Sequence, residues 1–354
     1  MGLKVVPGRA RPRVGLVLGA GGVLGAAWMT GALPALQERL PRPLGDLDLI
    51  VGTSAGSVLA AALRCGIGID EMVAHQRGEA VGPLGASAVE RLTGGPWPPA
   101  PRLRLGSARL MLAMLLTPRR VHPSVLASAW LPRGRASHGP LRDMVHALHC
   151  HAYGLPASAE PPAWVRRETW IVAVDYDSGR RAVFGRPGAP PACLPDAVVA
   201  SCSIPGWYQP ARIGGRRYVD GGVRSPTSLG MVARAGLDEV YVLAPMASVV
   251  ADRPYMPHEV LERQLRSLLT MTLLREVRVL RAAGIAVTVL TPGPEDLAVM
   301  GVNLMDPRRR RQVFETSRLT SAAALAGPAG RAAVACPARG GSLHPVEDLP
   351  HQVH

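Results

Sequence analysis

The residues Gly52-Thr53-Ser54-Ala55-Gly56 stand between an apolar run, residues 47–51, and a helix-forming run, residues 57–63. This order predicts a buried strand that turns sharply into a helix. Such a turn strains the backbone at its apex and lifts the apical side chain clear, while flanking glycines let strand and helix pack closely. The apex is Ser54. Because the start of a helix favours a negatively charged oxygen, the sequence predicts Ser54 as a nucleophile.

The pattern G-x-S-x-G is weak evidence when it is taken without its context. With 39 glycines in 354 residues, we estimate the odds of a chance match at about one in five. The position at a strand-to-helix junction strengthens the prediction, because this is where the motif has a mechanical reason to exist.

The composition indicates one large α/β domain, or such a domain with an insertion. Hydrophobic residues make up 47% of the chain and aromatic residues 4%, so aliphatic side chains must fill the core. The net charge of +14 is carried by arginine, since Lys4 is the only lysine. One explanation is a GC-rich coding bias, which replaces lysine by arginine without any functional reason. The other is that the charge attracts the protein to an anionic lipid surface. Nucleic-acid binding is disfavoured because the arginines are dispersed and not interleaved with aromatic residues.

The cysteines favour a reducing compartment. Five of them, an odd number without a C-x-x-C pair, indicate neither a disulfide framework nor a zinc site; they are Cys65, Cys150, Cys193, Cys202 and Cys336. The first residues hold no signal-peptide core, and no apolar run is long enough to span a bilayer. We therefore predict a cytoplasmic location, with peripheral contact at the inner membrane surface.

A second glycine-rich turn follows the predicted buried strand Val14–Leu18. The loop 19–25 leads into a predicted helix, residues 26–40, with a kink at Pro34. One interpretation is a dinucleotide cradle with Asp46 or Asp48 on the ribose, but the spacing is G-x-G-x-x-x-G. The favoured interpretation makes Gly21 and Gly22 the N–H donors to an oxyanion formed at Ser54, because this explains both glycine motifs.

The second half of the chain predicts further buried strands and a carboxylate at the end of one of them. Residues 169–175 and 181–184 form a predicted hairpin, and a helix over 195–203 follows, with Asp196 as its cap. A second hairpin, 212–219, delivers Asp220-Gly221-Gly222. An Asp-Gly turn is the plain interpretation. No return strand follows at once, however, so the sequence also predicts a carboxylate in a cleft.

The remaining stretches define the predicted organisation: a basic flexible N-terminus over 1–13, a hydrolase domain over 14–326, and a disordered tail over 327–354. Within the domain, 64–165 is a predicted cap or insertion, whose apolar run 108–116 is a core helix or an acyl-chain lining. Residues 258–283 predict a long amphipathic helix. Arg308–Arg311 begin a predicted surface helix, with solvation the default role and phosphate contact the alternative.

Three elements in fixed order resemble the patatin-like phospholipase family. They are the loop Gly21-Gly22-x-x-Gly25, the elbow Gly52-x-Ser54-x-Gly56 and the motif Asp220-Gly221-Gly222, and the likeness runs from about Val14 to Ala326. The segment 200–206 also resembles the family. The resemblance implies a three-layer α/β/α sandwich with a mainly parallel central sheet and an inserted helical cap. It also implies a Ser54–Asp220 dyad with oxyanion donors Gly21 and Gly22, without histidine, metal or cofactor.

Two positions depart from the family pattern: Ala20 replaces a glycine, and Leu24 stands where the family usually carries Arg or Lys. Loss of that cation removes one source of positive potential near the oxyanion.

We therefore expect a serine acyl hydrolase acting on phospholipid or lysophospholipid esters. The alternatives are a carboxylesterase with a Ser-Asp-His triad, in which His258 follows Asp220 in the required order, and a lipid-binding protein with a vestigial site. The oligomeric state is not predicted.

Overall fold

The computed structural model describes residues 11–79, 97, 99, 102–107, 109–111, 122–249 and 257–327. The predictions for residues 1–10, for most of 80–121 and for the tail beyond 327 lie outside these ranges. The elements in chain order are β1 (Val14–Leu18), α1 (Gly22–Gln37), β2 (Leu49–Thr53), α2 (Ala55–Arg64), α3 (Ile69–Arg77), β3 (Arg102–Leu105), α4 (Pro123–Trp130), β4 (Pro132–Arg133), α5 (Gly139–Ala152), β5 (Thr169–Asp175), β6 (Arg181–Phe184), α6 (Leu194–Ser201), β7 (Ala211–Ile213), β8 (Arg216–Asp220), β9 (Glu239–Leu243), α7 (Pro257–Ala282), β10 (Ala286–Leu290), α8 (Pro294–Met300) and α9 (Arg310–Ala326).

The central sheet is mainly parallel, with strand order β10-β9-β1-β2-β5-β8-β7 and β6 paired to β5. The strands from β10 to β5 in this order run parallel, while β6 and β8 run antiparallel to β5 and β7 runs antiparallel to β8. The strands β1 and β2 are buried along their whole length, as expected for parallel strands covered on both faces.

Helices cover both faces of the sheet. On β1, Leu16 and Leu18 pack into the core that contains α1, α2 and α9, whereas Val17 packs into the core that contains α7. Because side chains alternate between the faces of a strand, these two cores lie on opposite sides of the sheet. The predicted three-layer α/β/α arrangement is confirmed.

The register of β5 brings the ends of two other strands together. Thr53, the last residue of β2, pairs with Val172, and Asp220, the last residue of β8, pairs with the next residue, Ala173. A Cβ on Gly221 would come within 3.0 Å of the Thr53 Cγ2 atom, so the two strand ends are adjacent. The sheet therefore places Ser54 beside Asp220, although 166 positions (220 − 54) separate them in the chain.

Several boundaries differ from the sequence-based predictions. The helix α1 begins at Gly22 rather than at residue 26, and α6 begins at Leu194 with Cys193 as its N-cap residue. The prediction that Asp196 caps α6 is therefore wrong: its carboxylate instead accepts a hydrogen bond from Arg142 Nε at 2.7 Å. Within the described ranges, no helix is long and apolar enough to cross a bilayer.

Candidate active site

Ser54 lies at the apex of the turn from β2 into α2, as the sequence predicts. Its φ of 53° is positive, and in the described part of the chain only Ser228 shares this feature among non-glycine residues. Its side chain is buried. The flanking glycines are needed for space, because a Cβ on Gly56 would collide with the Leu18 carbonyl oxygen and one on Gly52 would lie 2.5 Å from the Ser57 Cα. A strained serine at a tight strand-to-helix turn is the geometry of a nucleophile elbow.

Two serine side chains, one in α2 and one at the end of α6, hold the elbow backbone. The Ser54 N–H donates to Ser201 Oγ at 2.8 Å, and the Ser201 hydroxyl donates in turn to the Val172 carbonyl at 2.7 Å. The Ser57 hydroxyl donates to the Ser54 carbonyl at 2.6 Å. Ser201 thus ties the elbow to β5, a role that sequence reasoning missed, although the segment 200–206 carried a family likeness.

The Asp220 carboxylate lies beside the Ser54 side chain, which favours the ionised form of the carboxylate. Its Oδ1 atom accepts a hydrogen bond from the Gly222 N–H at 2.7 Å. Burial raises the pKa of Asp220 to about 6, although the interactions with Ser54 and Gly222 oppose this shift. A carboxylate with this pKa is ionised at neutral pH and basic enough to accept a proton from a serine hydroxyl.

Two of the small residues beside Asp220 contact each other. A Cβ on Gly222 would lie 2.9 Å from the Ala20 Cβ, so there is no room for a side chain at Gly222. Ala20, the first departure from the family pattern, is buried and fills this space. The side chain that replaces the family's glycine therefore fits against the Asp220 motif.

The predicted oxyanion loop begins α1. Gly22 has a φ of 60°, and among the described residues neither Gly21 N–H nor Gly22 N–H finds a hydrogen-bond acceptor. A Cβ on Gly21 would lie 2.7 Å from Pro245 Cγ and from the Gly25 Cα, so this glycine is held close to both. The Ala55 N–H, the first of α2, is also without an acceptor in the described part and is a further candidate donor, which sequence reasoning missed.

Ser54 borders a cavity of about 180 Å³ between the helices α1, α2, α3 and α5, which Arg310 of α9 also reaches. The cavity has a largely apolar wall, which includes Leu59, Met72, Met144, Leu148 and Ile204, and it also reaches Gly22 and Ala55. A larger cavity, of about 670 Å³, is lined by Gln37 and Arg64 at the far ends of α1 and α2 and contains no residue of the glycine loop, the serine elbow or the Asp220 motif. Of these two cavities, the smaller is therefore the one that adjoins the serine elbow.

A charged residue from α9 enters the wall of this cavity. Arg310 lines it, and the Arg310 Nη1 atom is buried. His75, also in the wall, has its pKa lowered to about 4 by burial and then by the charge of Arg310. His75 is therefore neutral at physiological pH, and Arg310 supplies positive charge. For Arg310, the default interpretation of a solvated surface charge is wrong.

Leu24, the second departure from the family pattern, is fully buried in the core and its N–H donates to the Leu304 carbonyl at 2.9 Å. Its side chain adds no charge to the site, whereas Arg310, on a different element, places an arginine in the wall of the cavity that Ser54 borders.

A histidine triad or a metal site would require further side chains beside Ser54 and Asp220. Among the described residues, no histidine forms a hydrogen bond with Ser54 or Asp220, and no group of three His, Cys, Asp or Glu side chains can hold a metal ion. The backbone of His258 lies in α7, but its side chain lies outside the described part of the structure.

Curated relatives named as uncharacterized NTE family proteins, from Mycobacterium tuberculosis and Mycobacterium bovis, are 28% identical over 233 residues. That alignment covers 66% of this chain and 49% of each relative, so the chain spans about half the length of the curated relatives it matches.

Two solved structures are also similar. VipD from Legionella pneumophila matches with a TM-score of 0.43 and 13% identity, over 90% of this chain and 67% of that chain. The ExoU-SpcU complex of Pseudomonas aeruginosa matches with a TM-score of 0.35 and 17% identity, over 92% of this chain and 66% of that chain. At these TM-scores and identities, neither structure supports assigning this chain to a family.

The assignment depends on the family model described as patatin-like phospholipase, which matches residues 16–232. This match covers more than half of the chain and includes the glycine loop, the serine elbow and the Asp220 motif. The chain belongs to the patatin-like phospholipase family.

Proposed function

We propose that this protein is a serine acyl hydrolase that cleaves carboxylic ester bonds of phospholipids or lysophospholipids. The observation that carries the proposal is the position of Ser54, at the apex of the elbow, beside the buried Asp220 carboxylate, whose pKa is raised to about 6. Family membership supports a lipid hydrolase. The apolar cavity beside Ser54 supports a substrate with an acyl chain.

In the proposed mechanism, Ser54 Oγ attacks the ester carbonyl carbon while its proton passes to the Asp220 carboxylate. The carbonyl electrons move to the oxygen, and the N–H groups of Gly21, Gly22 and Ala55 stabilise the oxyanion. The intermediate collapses, Asp220 returns the proton to the departing alcohol, and an acyl-serine remains. Water then attacks the acyl-serine with Asp220 as base, which releases the fatty acid and restores the Ser54 hydroxyl.

Release of fatty acid tests this proposal. The purified protein would be incubated with a diacyl phospholipid, with a lysophospholipid and with a short-chain soluble ester. We expect release from at least one of the two phospholipid substrates. Release from the soluble ester alone would favour a generic carboxylesterase. No release from any of the three would favour a lipid-binding protein. Leu24, which lacks the charge that the family usually carries at this position, is consistent with that alternative.

We further propose that Arg310 supplies the positive potential which Leu24 does not. Removing a unit charge from a partly desolvated site weakens stabilisation of the oxyanion by on the order of 1–2 kcal/mol. We therefore expect Arg310→Gln to lower kcat/KM for a soluble ester by about tenfold. Arg308→Gln is the matched control, because Arg308 is exposed and pairs with Asp306. Equal rates in the two variants would show that Arg310 has no electrostatic role.

A further inference from the structure

The helix α7 has one apolar face that packs on the sheet and another that does not. Leu273, Val277 and Leu280 are buried in the core on this side of the sheet. On the opposite side of the helix, Leu261, Leu265 and Leu268 are 68%, 54% and 57% exposed. With the exposed Met271, they follow the spacing of one helical stripe. We call Leu261, Leu265, Leu268 and Met271 the leucine face.

The charges beside the leucine face have one sign. Within residues 260–282 the exposed charged side chains are Arg275, Arg278 and Arg281. The two acidic residues of this stretch are largely buried: Glu262 pairs with Arg263 and Arg266, and Glu276 accepts hydrogen bonds from Ser225, Thr227 and the Leu229 N–H. The exposed charges of this stretch are therefore all positive, and they lie toward the end of α7.

The leucine face lies at the same edge of the sheet as Ser54. The strands β1, β2 and β9 are parallel, so their carboxyl ends meet at one edge, where β2 leads into Ser54. The first half of α7 is held at this edge, because Arg266 Nη1 donates to the Pro245 carbonyl at 2.7 Å and Thr270 Oγ1 accepts from the Ser248 N–H at 2.9 Å. Both partners follow the carboxyl end of β9.

A short path of contacts links α7 to the glycine loop. Pro245, which accepts the hydrogen bond from Arg266, is also the residue whose Cγ would lie 2.7 Å from a Cβ on Gly21. The helix that carries the leucine face is thus anchored to the segment that packs against the proposed oxyanion donors. A surface bound by the leucine face would be presented to the edge of the sheet where Ser54 lies.

We propose that the leucine face is a docking surface for an anionic phospholipid bilayer. An amphipathic helix with leucines on one side and arginines beside them binds at the membrane interface through apolar burial and attraction to anionic lipid. A second copy of this chain fits less well, because each copy carries a net charge of +14 and two copies would repel each other. This docking proposal rests on the proposed lipid substrate, yet binding to lipid can be measured without catalysis.

The test compares the triple variant Leu261→Asp/Leu265→Asp/Leu268→Asp with the single variant Leu319→Asp. Leu319, on α9, is 75% exposed and is the matched control. Cosedimentation would use vesicles of phosphatidylglycerol and phosphatidylcholine in equal parts. We expect the triple variant to bind at least about tenfold more weakly than wild type, the control to bind like wild type, and added salt to weaken wild-type binding. Wild-type binding by the triple variant would overturn the proposal.

Two further readouts separate the alternatives. If gel filtration shows a wild-type dimer that the triple variant dissociates, the leucine face is an interface between copies and the lipid proposal is wrong. Hydrolysis of a monomeric soluble ester should be equal in wild type and triple variant, which also shows that the variant is folded. If neither hydrolyses any ester but only wild type binds vesicles, the docking surface stands and the proposed hydrolase function fails; circular dichroism then verifies the fold.

Discussion

Replacing Asp220 with asparagine is expected to lower kcat for ester hydrolysis by about two orders of magnitude or more, as loss of a general base should. Asparagine has nearly the same shape, and it can still accept the hydrogen bond that the Gly222 N–H now donates to Oδ1. It cannot take the Ser54 proton. The measurement is the initial rate of hydrolysis of a soluble ester in wild type and variant.

The pH dependence follows from the same carboxylate. Its pKa is raised to about 6, and only the ionised form can accept a proton, so kcat/KM of wild type should rise through pH 6 to a plateau above it.

The same carboxylate affects stability. Its folded-state pKa lies above the usual value of 3.8, so between these two values the unfolded state is ionised while the folded state stays protonated, and wild type loses stability as pH rises. Asp220→Asn should therefore be no less stable than wild type at neutral pH, which thermal unfolding can measure.

His258→Ala is the comparison that separates a dyad from a triad. With Asp220 as the base, we expect this variant to keep nearly the full rate. Activity that is lost with His258 and kept with asparagine at position 220 would contradict the dyad and favour a Ser-Asp-His carboxylesterase.

Ser54→Ala is expected to lower hydrolysis by on the order of ten-thousandfold or more, because the attacking oxygen is removed. The fold should persist, since the contacts that hold the elbow, Ser54 N–H to Ser201 Oγ and Ser57 Oγ to the Ser54 carbonyl, do not use the hydroxyl. Ser228→Ala is the matched control: Ser228 is also a buried serine with a positive φ, of 52°, and it is not part of the cavity wall. Substantial activity in Ser54→Ala, measured as fatty acid release, would exclude Ser54 as nucleophile.

Much of the fold could be predicted because the deciding signals are local. The strand Val14–Leu18 is a short apolar run that ends at glycines, and its observed bounds agree with the prediction. The elbow at Ser54 and the hairpin that ends at Asp220 are likewise patterns of neighbouring residues, so their positions followed from the sequence.

The meeting of Ser54 and Asp220 could not be derived from local patterns. It depends on β8 pairing antiparallel to β5 in a register that puts Asp220 next to the end of β2, and residues far apart in the chain set that register. The family resemblance supplied the pairing instead.

Besides the Ala55 N–H, three candidate features were missed for similar reasons. Ser201 and Arg310 reach the site through contacts with distant segments, and neither stands in a motif with a spacing of its own. The leucine face was hidden because a stripe of leucines predicts a buried helix side equally well. Only the packing of α7 tells which of its two apolar sides is covered.

Labelling with a fluorophosphonate probe tests the activated serine most directly, because the probe reacts covalently with a nucleophilic serine and needs no knowledge of the natural substrate. Wild type, Ser54→Ala and Ser228→Ala would be incubated with the probe, and the modified residue would be located by mass spectrometry. We predict a label on Ser54 in wild type and in Ser228→Ala, and none in Ser54→Ala. An unlabelled wild type, or equal labelling of Ser54→Ala, would contradict the proposed Ser54–Asp220 chemistry.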